Sequence, residues 1–391
     1  MYSLRILFFI LPLYFSHAFS PLGVTIWESY SFERYKVYFF LTLLVVAYFE
    51  ILIRYPHRIW DIFRKYIPYI VALLVIPIAS ALYFSTFLDL DWLMGSHEKH
   101  HGYLFYLGVI SLVLLLLGSP RDHLKSYLRW SIYASVIVSL LAIGECMGGI
   151  WDIYHRGEML SAYPGRSVST LGNPNYVAGY LLLFLPLFSQ IRAPERWLAL
   201  GLWSLAILTT GSYIAIGLTW LYYLYKWFRY MRLQPLASLL LIVSITFFAL
   251  YITSIYFDPE KLLSLTSRFV LMRESIFLMT KDPISFLIWF GPDSILTHFS
   301  LDRSILVNSY FPSSMSIDSS HNMFIDILFQ YGILPILMIG HALVTIWRNK
   351  IEELQIAILL GGIFLALNVL VVTHIVLFAL LVVSYASNKR A

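Results

Sequence analysis

Residues 102–118 read GYLFYLGVISLVLLLLG and contain no charged side chain. A run of this length and hydropathy is typical of a membrane-spanning helix, because about 20 residues of helix cross about 30 Å of hydrocarbon. Unpaired backbone groups are too costly in lipid for an isolated strand, so the run is predicted to be helical. We therefore expect an all-α membrane protein built from helices of this kind.

The sequence contains eleven further apolar segments. Over all 391 residues, 59% are hydrophobic and only 13% are charged. Soluble chains carry about 25% charged residues, so an ordinary soluble enzyme, a disordered chain and a disulfide-stapled secreted domain are excluded. We expect the single cysteine, Cys146, to pack as a small hydrophobic side chain. The twelve predicted membrane-spanning segments are 4–26, 35–53, 66–88, 102–118, 130–150, 174–191, 197–210, 212–225, 235–257, 324–346, 354–368 and 369–385.

Lysine and arginine fall unevenly on the two sides of these segments. With the N-terminus in the cytoplasm, 17 of the 27 basic residues lie inside and 10 lie outside. The positive-inside rule favours this orientation, which makes both termini cytoplasmic. Residues 1–20 also resemble a signal peptide with a cleavage site near Ser16-His17-Ala18. We favour an uncleaved first segment, and both alternatives leave the orientation of the rest unchanged.

The predicted segments divide the chain into three parts. Residues 1–257 hold the first nine segments, 258–323 form one long outer loop, and 324–391 hold the last three. A loop of this length is usually functional or has structure of its own. Apolar residues at helical spacing over 267–281 predict an amphipathic helix against the outer membrane surface or over a cavity.

The first candidate site motif is 163-YPGRSVSTLGNPNYVAGY-180. Asn173 is suited to cap a helix, and proline fits the first helical position, where no N–H is needed. The N-terminus of such a helix attracts anions, and Arg166 could add a fixed positive charge. The alternative is an ordinary cap, with Arg166 bound to lipid phosphate.

The second motif is 268-RFVLMRES-275, which contains two arginines. Arg268 and Arg273 are five positions apart, so on a straight helix they point in different directions. They converge on one ligand only if Arg268 lies at or before the first turn of its helix. The alternative is an interfacial helix whose arginines extend towards the water.

The third motif is 318-DSSHNMFIDILFQYGILP-335, at the end of the long loop. A neutral His321 imidazole could take a proton from a hydroxyl near pH 7. A carboxylate in contact with lipid has a high free-energy cost, so Asp326 is expected to face the bundle or a water-filled cavity. It lies on the same helix face as Asn322. The alternative is a capping segment whose histidine is merely interfacial.

Other polar groups give weaker signals. Asp89-Leu90-Asp91 has the spacing with which metal-dependent sugar transferases hold a diphosphate, but short acidic loops are common. A zinc site at the histidines of 97–101 lacks a clear fourth ligand. Three ionisable side chains in the spans, Glu145, His341 and His374, are expected to form hydrogen bonds within the bundle. The sequence contains no Walker loop, no H-E-x-x-H and no G-x-S-x-G.

Taken in order, the motifs resemble the O-antigen ligase and polymerase family of bacterial surface-polysaccharide assembly, over roughly residues 163–340. The matching elements are G-N-P-N-Y-x-A-G-Y from Gly172, Thr210-Gly211-Ser212, Arg268 to Glu274, Lys281-Asp282-Pro283 with Phe290-Gly291-Pro292, and His321-Asn322 with Gly332.

This resemblance implies a glycosyltransferase with a bundle of the lipid-linked-sugar transferase (GT-C-like) type in the bacterial inner membrane. The family transfers a glycan from undecaprenyl diphosphate to an acceptor hydroxyl on the periplasmic side, without a metal, a nucleotide sugar or another cofactor, and without nucleic acid. His321 and Arg268 are then expected to be catalytic, and Arg166 and Arg273 to bind the diphosphate. The residues expected to shape the site are Asn173, Asn175, Asn322 and Tyr213.

Two positions depart from the family pattern. Tyr213 follows the T-G-S element where the family usually has arginine, and Met272 stands where it prefers tryptophan. Ligation to a lipid A core is favoured over repeat-unit polymerisation by the single compact outer loop, and protein glycosylation is disfavoured by the chain length. A transporter of lipid-linked glycans or small solutes is the alternative of another class.

Overall fold

The apolar runs form helices because a helix satisfies its own backbone hydrogen bonds away from water. No strand occurs among the residues that the structure describes. A computed structural model of the chain describes residues 1–14, 31–83, 90–95, 101–147, 165–191, 195–230, 259–281, 290, 295, 299, 304–311, 319–333, 335–337, 339–340, 344, 353–368 and 371–388.

Fourteen α-helices are described, with two short 3-10 segments at Ser169–Leu171 and Leu185–Gln190. In chain order the helices are α1 (Tyr2–Ile10), α2 (Ser31–Arg54), α3 (Pro56–Tyr83), α4 (Leu90–Met94), α5 (Tyr103–Gly118), α6 (Arg121–Cys146), α7 (Pro174–Leu182), α8 (Glu195–Thr209), α9 (Tyr213–Tyr230), α10 (Pro259–Thr280), α11 (Ile305–Tyr310), α12 (Met323–Tyr331), α13 (Glu353–Leu365) and α14 (Val372–Asn388).

Two described helices are long and apolar enough to cross a membrane, Tyr35–Arg54 within α2 and Arg121–Cys146. Helices α5, α13 and α14 are apolar but shorter. The predicted segment 235–257 lies outside the described residues, as do residues 15–30 with the alternative cleavage site. The expectation for Cys146 was wrong, because this residue ends α6 with its side chain exposed.

Helix α7 lies in the middle of the bundle. It packs against α6, α8, α9, α13 and α14, and residues 177–187 are all buried. The predicted span 174–191 is interrupted after Leu182 and continues as 3-10 helix, since Pro186 has no N–H for an α-helical hydrogen bond. This segment therefore forms part of the core of the bundle.

Close approach of α7 and α13 depends on two glycines. A Cβ atom on Gly179 would lie 2.1 Å from the Phe364 ring, and one on Gly361 would lie 2.2 Å from Leu183 Cδ2. Both distances are too short for real contacts, so larger side chains would push the two helices apart.

Polar contacts gather at two opposite ends of the bundle. One end holds Glu33, within 3.4 Å of His101, and is named here the Glu33 end. The other end holds Glu50, which accepts hydrogen bonds from the N–H groups of Tyr2 and Ser3, and is named the Glu50 end. The two glutamates are 17 positions apart on α2, which corresponds to about 25 Å of helix.

Replacing Gly179 by alanine is expected to destabilise the protein by about 1–3 kcal/mol, because the added methyl group overlaps the Phe364 ring. Thermal unfolding of the purified protein in detergent measures the effect. Gly362 on α13 has open space around its Cβ position, so Gly362→Ala is the matched control. The control should be neutral or stabilising by about 0.5–1 kcal/mol. Equal melting temperatures for Gly179→Ala and the wild type would contradict the close approach.

Candidate functional site

Arg166 binds the turn between α8 and α9. Its Nε donates a 2.7 Å hydrogen bond to the carbonyl oxygen of Thr210, the first residue of the T-G-S element. Gly211 has φ +59°, and a Cβ atom there would lie 3.3 Å from Arg166 Nε. Two of the sequence motifs therefore meet at this point, and glycine at position 211 leaves room for the guanidinium group.

The loop that carries Arg166 is fixed to α6 by Glu145. Its carboxylate Oε2 accepts hydrogen bonds from the N–H groups of Val168 at 2.9 Å and Ser169 at 2.8 Å. Ser169 has φ +44°, a region that side chains other than glycine rarely adopt. The expectation that Glu145 forms hydrogen bonds within the bundle is confirmed, and the effect of these bonds is to hold the Arg166 loop.

Helix α7 begins as the sequence predicts. The Asn173 side chain accepts a 2.9 Å hydrogen bond from the N–H of Asn175, and Pro174 takes the first helical position. Tyr176 lies in the first turn of α7. The carbonyl oxygen of Tyr176 lies 3.0 Å from Nε2 of the buried His374, so this histidine also forms a hydrogen bond within the bundle.

Arg268 lies in the middle of α10 and binds the chain after α13. Its Nη1 donates to the carbonyl oxygen of Leu367 at 2.8 Å and lies 3.4 Å from Asn368 Oδ1. Burial lowers the pKa of the Arg268 guanidinium, the positive charge of Arg166 lowers it further, and Tyr176 partly offsets both effects. The two arginines therefore act on each other electrostatically, although 102 positions separate them in the chain.

Arg273 does not join this pair. Helix α10 begins at Pro259, so Arg268 is not in the first turn and the condition for convergence is not met. Arg273 is exposed, while Arg268 is partly buried on a different face. Arg268 is therefore the arginine of α10 whose pKa is affected by the charge of Arg166, and Arg273 belongs to the exposed face of α10.

Asn322 connects the His321 loop to α10. Its side-chain oxygen caps α12 by accepting the N–H groups of Phe324 and Ile325, and its Nδ2 lies 3.8 Å from Met272 Sδ. Met272 is one helical turn beyond Arg268 on the same face. His321, the neighbour of Asn322, therefore lies at the side of α10 that carries Arg268.

The backbone at His321 has φ +58° and is held by Asp326. Asp326 is 2% exposed and accepts hydrogen bonds from Ser319 Oγ at 2.7 Å, Ser320 N at 2.8 Å and Ser320 Oγ at 2.6 Å. Ser319 Oγ in turn accepts the N–H of His321 at 2.9 Å. The prediction that Asp326 faces the protein interior is confirmed.

Sequence reasoning missed a buried group of charges at the start of α2. Glu33, Lys36 and His101 are at most 6% exposed. Burial by itself raises the pKa of Glu33, but hydrogen bonding and charge from His101, the charge of Lys36 and the N–H of Val372 together lower it. The available signal was Glu33 just before the predicted segment 35–53 and Lys36 just inside it, because charged groups seldom lie there without a partner.

The remaining candidates contribute less. Tyr213 is the first residue of α9, directly after the T-G-S turn. Asp91 lies in α4, whereas Asp89, His97, His100 and His341 lie outside the described residues. Among the residues that the structure describes, no group of three or more histidine, cysteine, aspartate or glutamate side chains could hold a metal ion.

Comparison with family models, with curated proteins and with solved structures found no match for this chain. The resemblance to the O-antigen ligase and polymerase family stays a prediction from the sequence motifs.

Acid should weaken the contribution of Glu33 to stability. A carboxyl whose pKa lies below its ordinary value of 4.5 stabilises the fold above that value, and loses this contribution as the pH falls further. We expect Glu33→Gln to be less stable than the wild type by about 1–3 kcal/mol at neutral pH. The difference should shrink below about pH 4.5 in thermal unfolding measured over a pH series. A difference that is constant over this range would contradict the lowered pKa.

Proposed function

We propose that the chain is a membrane-embedded glycosyltransferase that moves a glycan from undecaprenyl diphosphate to an acceptor hydroxyl. The observation that carries this proposal is the pairing of Arg166 and Arg268 at the Glu33 end of the bundle. Each arginine is fixed by a backbone carbonyl of another segment, and the charge of Arg166 lowers the pKa of Arg268, so the two half-buried charges lie within electrostatic reach of each other. Such a pair favours a ligand with adjacent negative charges, such as a diphosphate.

The chemistry of the transfer requires this charge. As the bond between the anomeric carbon and the diphosphate oxygen breaks, negative charge grows on the leaving oxygen, and positioned guanidinium groups stabilise it. Among the described residues the hydrogen bonds of Arg268 use Nη1 alone, so its Nε and Nη2 groups are available to a ligand. Bonds of this kind contribute about 1.5–3 kcal/mol each.

His321 supplies the base in this mechanism. Its imidazole accepts the proton of the acceptor hydroxyl while the hydroxyl oxygen attacks the anomeric carbon, and undecaprenyl diphosphate leaves. Asp326 and Ser319 hold the backbone of His321, and Asn322 joins it to the Arg268 face of α10. The base and the leaving-group charges thus belong to the same end of the bundle.

The membrane topology of the proposal has twelve spans, two cytoplasmic termini in the bacterial inner membrane and the Glu33 end facing the periplasm. Contacts between helix ends support it. Glu33 and His101 follow predicted outward spans, and Thr210 is the last residue of a third one. Glu33 contacts His101, and Lys36 and Thr210 both bind the loop that carries Arg166. Lys226 and Glu353, which both lie on the predicted inner side, form an ion pair. The lipid tail of the donor would then enter between helices from the surrounding membrane.

The function is tested by measuring the rate at which the purified full chain, in detergent, transfers glycan from undecaprenyl diphosphate to an acceptor. Arg268→Gln and His321→Ala are expected to reduce the rate at least about tenfold, since about 1.4 kcal/mol corresponds to a factor of ten. Arg273→Gln on the same helix is the matched control and should retain the wild-type rate. Full transfer by Arg268→Gln and His321→Ala would sink the proposed site.

Two additions to this assay separate the alternatives. Donor alone should give longer glycans if the chain is a polymerase, whereas transfer only after addition of lipid A core glycolipid indicates a ligase. We propose the ligase. A chelator should leave the transfer rate unchanged. If a chelator abolished transfer, the diphosphate-binding role would pass to a metal near Asp89 and Asp91.

The transporter is the alternative of another class. Movement of the donor across the membrane of proteoliposomes without any glycan transfer would favour it.

A subtler substitution tests the contact between Arg166 and the T-G-S turn. Gly211→Ala places a methyl group against the Arg166 guanidinium and should reduce transfer about tenfold. Gly165→Ala is the control, because Gly165 also has a positive φ of +67° but open space around its Cβ position. Both variants incur the same backbone strain, so equal rates for the two would show that the Arg166 contact is unimportant.

A further inference from the structure

The first two turns of α2 hold two buried charged side chains that the mechanism above does not use. Glu33 and Lys36 are three positions apart on one face of the helix, and they are 6% and 1% exposed. Buried charges are retained only where each finds partners of its own. Two of the partners, Thr170 and Val372, lie in segments of the candidate site. The third partner, His101, connects Glu33 to α12 through the Tyr331 hydroxyl.

Lys36 holds the Arg166 loop. Its Nζ donates a 2.8 Å hydrogen bond to the carbonyl oxygen of Thr170, four residues after Arg166. The Thr170 hydroxyl donates at 2.6 Å to the carbonyl oxygen of Pro12, so the loop is bound to the first residues of the chain as well.

Glu33 holds the start of α14. Its Oε1 accepts the N–H of Val372, close in sequence to Leu367 and Asn368, which bind Arg268. The partner group of Arg268 and the first turn of α2 are therefore joined through a few residues of chain.

Glu33 is also connected to α12, the helix that follows His321 in the chain. Its Oε1 lies 3.4 Å from Nε2 of His101, and the His101 carbonyl oxygen accepts a 3.0 Å hydrogen bond from the Tyr331 hydroxyl. Tyr331 is the last residue of α12, the helix that begins just after His321 and Asn322.

We propose that Glu33 and Lys36 are positioning residues that hold the Arg166 loop, the turn bound by Arg268 and helix α12 at one fixed spacing. They lie on the same helical turn, so a shift of any one segment displaces the partners of the other two. The ligand of the resulting arrangement is the lipid-linked diphosphate, and this part of the inference rests on the proposed function.

Hydrogen exchange on the purified full chain tests the coupling without a ligand. In Glu33→Ala we expect exchange to rise about tenfold in residues 165–173, 319–331 and 366–374 together. Glu33→Gln keeps an acceptor for the Val372 N–H, so a smaller rise in the same three segments is expected. Faster exchange confined to 366–374 in both variants would overturn the proposal, because Glu33 would then be only a local cap.

The matched control is Glu50→Ala on the same helix. Glu50 also accepts backbone N–H groups, from Tyr2 and Ser3, but at the other end of the bundle. Exchange in this variant should rise near residues 1–10 and stay unchanged in the three site segments. A rise in those segments as large as in Glu33→Ala would show general loosening and would also overturn the proposal.

Binding of farnesyl diphosphate, a short isoprenyl diphosphate, tests the positioning role by calorimetry. We expect Glu33→Ala to bind about tenfold more weakly than the wild type, Glu33→Gln to recover part of the affinity, and Glu50→Ala to bind normally. Unchanged binding in Glu33→Ala with weakened binding in Arg268→Gln would overturn the positioning role and leave the proposed function intact. If the wild type does not bind this probe, the proposed function fails, whereas the coupling between the three segments is still decided by the hydrogen-exchange result.

Discussion

The Glu33 end of the bundle depends on hydrogen bonds between charged side chains and buried backbone groups of distant segments. Arg268 donates to the carbonyl of Leu367, Glu145 accepts two amides of the Arg166 loop, and Lys36 donates to Thr170. A loop that enters an apolar bundle loses water as a partner, and an unpaired backbone group there is costly. Charged side chains replace the water, and in doing so they acquire fixed positions.

The helices and their caps could be predicted from the sequence, because apolar runs and cap residues act locally. Asn173 and Asn322 cap the helices that were expected, and Asp326 faces inward as the cost of a carboxylate in lipid requires. The start of α10 could not be placed from apolar spacing over 267–281. Pro259 was the overlooked signal, since proline favours the first helical turn, and the error changed the position of Arg268 within its helix.

The partners of buried charges could not be predicted, because pairing across long stretches of chain leaves no local pattern. Glu33 and Val372 are 339 positions apart, and nothing in the sequence near either residue indicates the other. Arg166 and Arg268 were expected together from the motifs, but their anchoring carbonyls were not. By contrast, the five-residue spacing was enough to predict that Arg268 and Arg273 point in different directions on one helix.

Backbone strain is concentrated where the candidate residues lie. Among the described residues other than glycine, positive φ angles occur at Ser169 and His321 only. Each is held by a carboxylate, Glu145 in one case and Asp326 in the other, through bonds to the neighbouring N–H or hydroxyl groups. Strain persists only where the surroundings over-determine it, and it is commonest at sites where geometry matters.

The exposed side chain of Cys146, next to Glu145, makes the protein convenient to label. It is the only cysteine in the chain, so a thiol-reactive dye attaches at one position without any prior substitution. A charged maleimide that does not cross membranes, applied to whole cells and then to broken ones, would report which compartment this end of α6 faces. A polarity-sensitive fluorophore at the same sulfur would lie close to the Arg166 loop, which Glu145 binds, and would report changes in the surroundings of that loop.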